Sequence, residues 1–291
     1  MKILVSLFFF IFLNFLIFQN YAVAHQVNYG ENGLPYQKIP LDQYLSKKTR
    51  HIQIYNRYLR SLEFYKAVPL LDLLKDVMGF YGQENFDVSF VTKTGYAPFI
   101  PGKSFKERKA YLAYDRADGQ KFVTIGKVSK TIKDLGPLFL IWDNSSKKIN
   151  RWEHKFSWVY QITGLSLNYD FGNIDPGSGV DPKIQKGFQH YKNHCMGCHA
   201  VGTIGGKLAK NLFINRDLKK WSRERLFRML DKPAKFKIKN MPAFAWGDPN
   251  REKKKLELLS YLKYLAKTEV KATKKNRRKS SDIKQLLDQF K

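Results

Sequence analysis

The sequence predicts a two-domain chain, an N-terminal α+β domain followed by a C-terminal all-α domain, behind a removable leader. Three observations carry this. Residues 25–170 pass from a helical segment into short strands separated by glycine-rich turns. Residues 181–267 hold three segments of helical periodicity. Between them, residues 171–180 are rich in Gly, Pro, Asp and Asn and read as a turn-rich linker. No internal repeat is visible.

The leader is residues 1–24. Met1-Lys2 is a minimal basic start, and Ile3 to Phe18 is apolar except for Ser6 and Asn14. Ala22-Val23-Ala24 forms an A-x-A cleavage site, with His25 as the expected mature N-terminus. An uncleaved anchor is the competing reading, but the apolar run is short for a span. Cleavage leaves 267 residues, enough for two modest domains.

In residues 25–170 the first clear element is a helix over Tyr65–Lys75, with Pro69 in its first turn. Phe86–Val91 alternates as a strand, and Gly95-Tyr96 turns the chain. Tyr111–Asp115 is a second strand, closed by Asp118-Gly119. Gly136-Pro137 precedes the apolar strand Leu138–Trp142. Trp158–Leu167 reads as a strand pair or one long bent strand. Trp142, Asp143, Asn144, Arg151, Trp152, Glu153 and His154 mix aromatic and polar groups. They read equally as a small binding site or as a surface loop between strands.

In residues 181–267, Asp181 and Pro182 supply an N-cap and a first helical position. Ile184, Gly187, Phe188 and Tyr191 then share one helical face. That helix runs into Cys195-Met196-Gly197-Cys198-His199, the C-x-x-C-H pattern of c-type haem attachment. The chain has two cysteines, and both lie in this motif, so a four-ligand zinc site lacks its second pair. A thioredoxin-like pair would not need the histidine. Cys195 and Cys198 are thus the expected covalent anchors of one haem c, and His199 an axial ligand of its iron. Covalent haem is attached outside the bacterial cytoplasm, so motif and leader both predict export to the periplasm. Ser222–Asp231 and Glu252–Lys267 complete the helices. Residues 268–291 form a basic tail around Lys271–Lys279, ending in a short amphipathic stretch at Ile283, Leu286, Leu287 and Phe290.

From Pro182 to Lys267 the chain resembles a class I cytochrome c. In that family Gly187 and Phe188 match the first helix where it crosses the last. Leu256, Leu259, Tyr261, Leu262 and Leu265 supply the last helix's apolar positions. Met241 begins Met-Pro-Ala-Phe and matches the family's methionine-ligand loop, 42 residues after His199. Elimination points the same way: Met78 precedes the domain, Met196 sits between the anchors, and Met229 falls in a helix. A thioether opposite histidine raises the haem potential. His190 and His194 are rival ligands, disfavoured by their place on the attachment helix. Leu212 fits the haem-packing leucine, and Trp221 and Trp246 are candidates either for haem packing or for the core. One departure stands out. The family's proline after the motif, whose carbonyl holds the ligand histidine, is missing from Gly205-Gly206-Lys207-Leu208-Ala209-Lys210, which leaves the partner of His199 open.

Residues 60–170 resemble the molybdopterin-binding domain of sulfite-oxidase-like oxidoreductases. The matching pieces are Val68-Pro69-Leu70 through Leu74, Thr92–Tyr96, Leu112-Ala113-Tyr114 with Gly119, Gly136-Pro137-Leu138, and Trp158–Leu165. These are structural positions and speak to fold. Catalytic members hold molybdenum through a cysteine thiolate that this chain lacks, which argues against a molybdopterin enzyme.

The chain has 52 basic and 25 acidic residues, a net charge of +27; only Lys2 is lost with the leader, leaving +26. Such a charge suits an acidic partner or an anionic membrane. Nucleic acid is disfavoured for an exported chain without a binding module. The reading that results is a monohaem cytochrome passing electrons between an acidic redox protein or a membrane respiratory complex and an acceptor. No catalytic residue is assigned, the first domain is an accessory module, and the basic tail offers an anionic membrane contact. Two alternatives stay open: an oxidoreductase using a pterin or another small-molecule site in the first domain, and a haem-based sensor.

Overall fold

The computed structural model describes residues 26–31, 37–56, 61–78, 86–125, 132–144, 157–168, 171–202, 204–212, 222–238, 241–245 and 247–268. The leader, Arg151–His154, Trp221, Trp246 and the basic tail lie outside these residues. The chain divides into two compact units. The first is Met1–Thr94 with Ile100–Tyr169, and the second is Gly95–Phe99 with Asp170–Lys291.

The first unit is a sheet-rich α+β region. Its elements are β1 (Gln26–Glu31), β2 (Gln37–Pro40), α1 (Leu41–Lys48), β3 (Arg50–Asn56), β4 (Ser61–Pro69), α2 (Leu70–Met78), β5 (Asp87–Thr92), β6 (Phe99–Pro101) and α3 (Ser104–Glu107). They continue with β7 (Ala110–Arg116), β8 (Val123–Ile125), β9 (Ile132–Asp134), β10 (Phe139–Trp142) and β11 (Ile162–Asn168). One sheet has the order β2-β1-β11-β5-β6 and a second β10-β7-β4-β3, while β8 and β9 pair alone. β1 and β11 run parallel.

The helix expected over Tyr65–Lys75 is corrected here: Tyr65 to Pro69 belong to a strand, and α2 starts at Leu70. Alternation decides it, because Glu63 and Tyr65 are buried while Leu62 and Phe64 are exposed. Pro69 lacks an amide donor and so ends the strand. α2 then buries Leu70, Leu73 and Leu74, the spacing of a one-sided helix. Trp158–Leu167 is not one strand either: Gln161 has φ 59°, pairing begins at Ile162, and the register shifts between Ile162 and Gly164.

The main core of this unit holds Leu70, Leu74, Phe90, Leu112, Leu140 and Leu165. A smaller one, with Ile54, Tyr65, Tyr111, Phe139 and Ile141, covers the other face of the second sheet. At its edge a charged cluster is fully paired. The Arg116 guanidinium donates to Glu63 Oε1 at 2.9 Å and to Asp118 Oδ1 at 3.0 Å. Asn56 and Tyr65 donate to Glu63 Oε2 at 2.7 and 3.0 Å. Burial, then the Glu63 charge, holds the Tyr65 phenol protonated far above its ordinary range.

The second unit is helical: α4 (Pro182–His194), α5 (Arg223–Asp231) and α6 over residues 251–268. Asp181 caps α4 by accepting from the Lys183 amide at 2.7 Å, and Ser222 caps α5 through the Arg225 amide at 3.2 Å. The stretch expected as a linker is packed into this unit. Gly172–Ile174 is a 3-10 turn, Phe171 and Ile174 are buried, and Tyr261 donates to the Ile174 carbonyl at 2.8 Å.

α4 and α6 cross at Gly187, where an added Cβ would lie 2.1 Å from the Glu257 carbonyl oxygen and 2.7 Å from Tyr261 Cβ. Both obstacles are rigid, so Gly187→Ala must part the helices. It is expected to cost about 3 kcal/mol, the upper end for overpacking. Urea unfolding followed by far-ultraviolet circular dichroism checks this; an unchanged midpoint would contradict the close crossing.

Candidate metal centre

α4 ends at Cys195, its C-cap, whose amide donates to the Tyr191 carbonyl at 2.8 Å. A tight turn follows: the Cys198 and His199 amides both donate to the Cys195 carbonyl, at 3.0 and 2.8 Å. Two thiols and an imidazole are thereby fixed within five residues. The Tyr191 hydroxyl donates to the His199 carbonyl at 2.7 Å and ties the turn back to the helix.

The partner left open for His199 is the Lys210 carbonyl, 2.8 Å from Nδ1. A carbonyl can only accept, so Nδ1 carries a proton, and in the neutral ring Nε2 is the nitrogen left for a metal. Nothing in the residue types marked this partner, because it is backbone. The legible signal was the glycine pair Gly205-Gly206, which lets the chain fold back: the Gly206 amide donates to the Met196 carbonyl at 2.7 Å and the Ala209 amide to the Cys198 carbonyl at 2.9 Å.

The environment of the thiols raises their pKa. Burial, then the charge of Cys198, pushes the Cys195 thiol up to about 12, and burial raises Cys198 too. Reactive C-x-x-C pairs are shifted downward instead. The donor set suits haem: two neutral thiols for vinyl groups, an imidazole with the outer nitrogen open, and a thioether.

That thioether, Met241, is half-buried and packs in the second unit's core together with Cys195, Ile204 and Leu212. Met196 is fully buried in the same core and Met229 packs on it, while Met78 belongs to the first unit's core. Of the rival histidines, His190 Nε2 meets Glu257 Oε2 at 2.7 Å, and the His194 ring packs edge-on against Phe244 at 4.9 Å. The loop from Met241 to Phe244 is clamped by side chains that sequence reading did not single out. Arg251 Nε donates to the Phe244 carbonyl at 2.6 Å, and the Phe244 amide donates to the Leu230 carbonyl at 2.8 Å. Asp231 pairs with Arg251 at 2.8 Å and with Lys255 at 2.9 Å, the lysine side chain being only 2% exposed. Lys255 also lies 4.7 Å over the Phe227 ring. Lys254, by its hydrogen bond, holds the Asp248 carboxyl below the usual carboxylate range at the start of α6.

Three residues of the first unit's aromatic and polar cluster are described, and each makes packing or main-chain contacts. Trp142 is buried, stacks on Phe105 at 5.4 Å and donates from Nε1 to the Ser157 carbonyl at 3.0 Å. Arg108 donates to the Asp143 carbonyl at 2.8 Å. Asn144 donates to the Tyr55 carbonyl at 2.7 Å and accepts from the Tyr55 amide at 3.0 Å, as a neighbouring strand would. Among the described residues no three His, Cys, Asp or Glu side chains gather as a metal cluster. Nor is any helix among them long and apolar enough to cross a membrane.

Residues 182–259 match the family model described as cytochrome C oxidase, cbb3-type, subunit III. No curated protein matches the chain as a relative. The second unit therefore contains a cytochrome c domain, which implies haem c and electron transfer.

Asp231 is the counter-charge that keeps Lys255 buried, since the other carboxylate at hand, Glu252, is 72% exposed. Asp231→Ala is expected to destabilise the second unit by about 3 kcal/mol at most, the cost of leaving a buried charge with only the exposed Glu252 carboxylate. Asp231→Ala with Lys255→Met should recover most of that. Paired urea melts measure both, and equal losses in the single and double variants would contradict the pairing.

Proposed function

We propose that this chain is an exported monohaem c-type cytochrome. Cys195 and Cys198 anchor the haem, and His199 and Met241 ligate its iron. The reading rests foremost on His199, whose Nδ1 proton is committed to the Lys210 carbonyl beside two neutral thiols. Bound haem would supply the one-electron iron couple. The protein's own residues do the rest. The turn after α4 orients the imidazole, the core around Cys195, Met196 and Leu212 excludes water, and the Arg251 clamp holds the methionine loop.

We assign the first unit as an accessory domain of the sulfite-oxidase-like type without the molybdenum cysteine. Its strand order of helix, turns and buried strands supports that type, and the absence of a third cysteine from the sequence supports the lack of metal. The compartment is the periplasm, supported by residues 1–24 and by where covalent haem is attached. The redox partner is an acidic protein or a membrane respiratory complex. The matched family is described as a subunit of a cytochrome oxidase, and a net charge of +27 suits an acidic docking face.

Met241→Ala keeps the thioethers but removes the sulfur ligand. The sulfur-to-iron charge-transfer band should vanish and the midpoint potential fall, with haem still covalent on denaturing gels. An unchanged spectrum would remove Met241 from the iron. Metal analysis of protein matured in the periplasm should give one iron per chain and no molybdenum; stoichiometric molybdenum would instead make the chain an oxidoreductase.

A further inference from the structure

The unit that holds the haem motif includes five residues from elsewhere in the chain, Gly95–Phe99, flanked by Thr94 and Ile100 of the first unit. This strap lies on the attachment turn. The Ala97 amide donates to the Gly197 carbonyl at 2.7 Å, and the Lys207 amide donates to the Gly95 carbonyl at 2.7 Å. The fit is close. A Cβ on Gly197 would lie 2.8 Å from Tyr96 Cε2 and 3.3 Å from the Pro98 Cα, and one on Gly206 would lie 1.9 Å from the Gly197 oxygen and 3.1 Å from the Gly95 oxygen. Phe99 continues the contact, its ring 5.6 Å from that of Phe171.

These bonds meet at the segment that holds the ligand histidine. Residues 205–210 begin with two glycines and contain no proline, so the sequence leaves this backbone loose. Yet this segment must present the Lys210 carbonyl to His199 Nδ1. It is pinned at three points: to Met196 through Gly206, to Cys198 through Ala209, and to the strap through Lys207. The first two pins come from the attachment turn itself. The third comes from the strap, which also grips that turn at Gly197.

We propose that Gly95–Phe99 is a positioning element for His199: it clamps the attachment turn and the 205–210 segment together, so that the Lys210 carbonyl stays on Nδ1. This rests on the proposed role of His199 as an iron ligand. A firm hydrogen bond at Nδ1 makes the imidazole a more basic ligand and fixes its ring plane. The strap thus bears on the electronic character of the iron through the backbone that holds His199.

The test uses the full-length, haem-loaded protein. Gly197→Ala pushes a methyl group against Tyr96. Proton exchange at His199 Nδ1, read by nuclear magnetic resonance of the reduced form, should quicken at least tenfold, and the midpoint potential should rise as the imidazole loses basicity. Adding Tyr96→Ala to Gly197→Ala removes the obstructing ring and should restore both. Gly179→Ala is the control, since Gly179, like Gly197, has no left-handed φ but has nothing within 4 Å of an added Cβ; it should change neither. Unaltered exchange and potential in Gly197→Ala would overturn the proposal. So would a loss that Tyr96→Ala fails to repair, because the defect would then belong to the attachment turn alone. In the unsubstituted protein the Ala97 and Lys207 amides should resist deuterium exchange as long as those of Cys198 and His199; rapid exchange there would also overturn it. A chain that carries no covalent haem would sink the proposed function together with this inference, whereas a haem protein indifferent to the strap would sink the inference alone.

Discussion

The approach of α4 to α6 at Gly187 is the constraint on which the haem unit depends. With no side chain there, the Glu257 carbonyl sits where a Cβ would be. The helices come close enough for Phe188, Tyr191 and Tyr261 to pack ring against ring, at 5.4 and 5.5 Å. Each tyrosine then uses its hydroxyl at a distance. Tyr191 reaches the His199 carbonyl, and Tyr261 reaches the Ile174 carbonyl. The same crossing therefore fixes the turn that carries the cysteines and the chain that enters the unit. It also sets the line of α6, whose first residue, Arg251, grips the methionine loop.

The two expected iron ligands are held by different means. On the histidine side nearly every restraint is main chain to main chain or side chain to main chain: Tyr191 to His199, His199 to Lys210, Gly206 to Met196, Lys207 to Gly95. Such bonds are short in range and insensitive to salt. On the methionine side the restraint is an ionic lattice, in which Asp231 binds Arg251 and Lys255 while Asp248 binds Lys254. Partly buried ion pairs are geometrically demanding and add specificity more than net stability. Main-chain bonds thus dominate on the histidine side, and ion pairs add to the main-chain bonds of Phe244 on the methionine side.

How much of this was legible follows from where the information lies. The close approach at Gly187 was implied by the resemblance to class I cytochromes c, while the attachment motif and the cap at Asp181 are written in residue types at fixed spacings. Backbone partners are not. Lys210 serves His199 through its carbonyl, which any residue could supply, so only the freedom given by Gly205 and Gly206 hinted at a return of the chain. Tyr65 misled because Leu70 to Lys75 truly is helical and Pro69 is at home both in a helix's first turn and at a strand's end. The alternation Leu62, Glu63, Phe64, Tyr65 was the stronger evidence, and it reflects which side chains meet a core that sequence alone does not display. Asp231 and Lys255 were invisible for a similar reason. They are 24 residues apart, and a buried lysine among 52 basic residues has no mark of its own.

The first unit pairs one buried polar cluster internally. Glu63, Arg116, Asp118, Asn56 and Tyr65 satisfy one another, and Asn144 stands in for a strand at Tyr55. A buried Arg–Glu pair across β4 and β7 opposes slippage of that register, since a shift would strand a charge in an apolar setting. Within this unit the Glu63–Arg116 pair thus helps hold β4 and β7 in register. The chemistry of the chain gathers around α4 instead. After β5 a glycine at φ 81° turns the chain, and the five residues from Gly95 to Phe99 belong to the second unit.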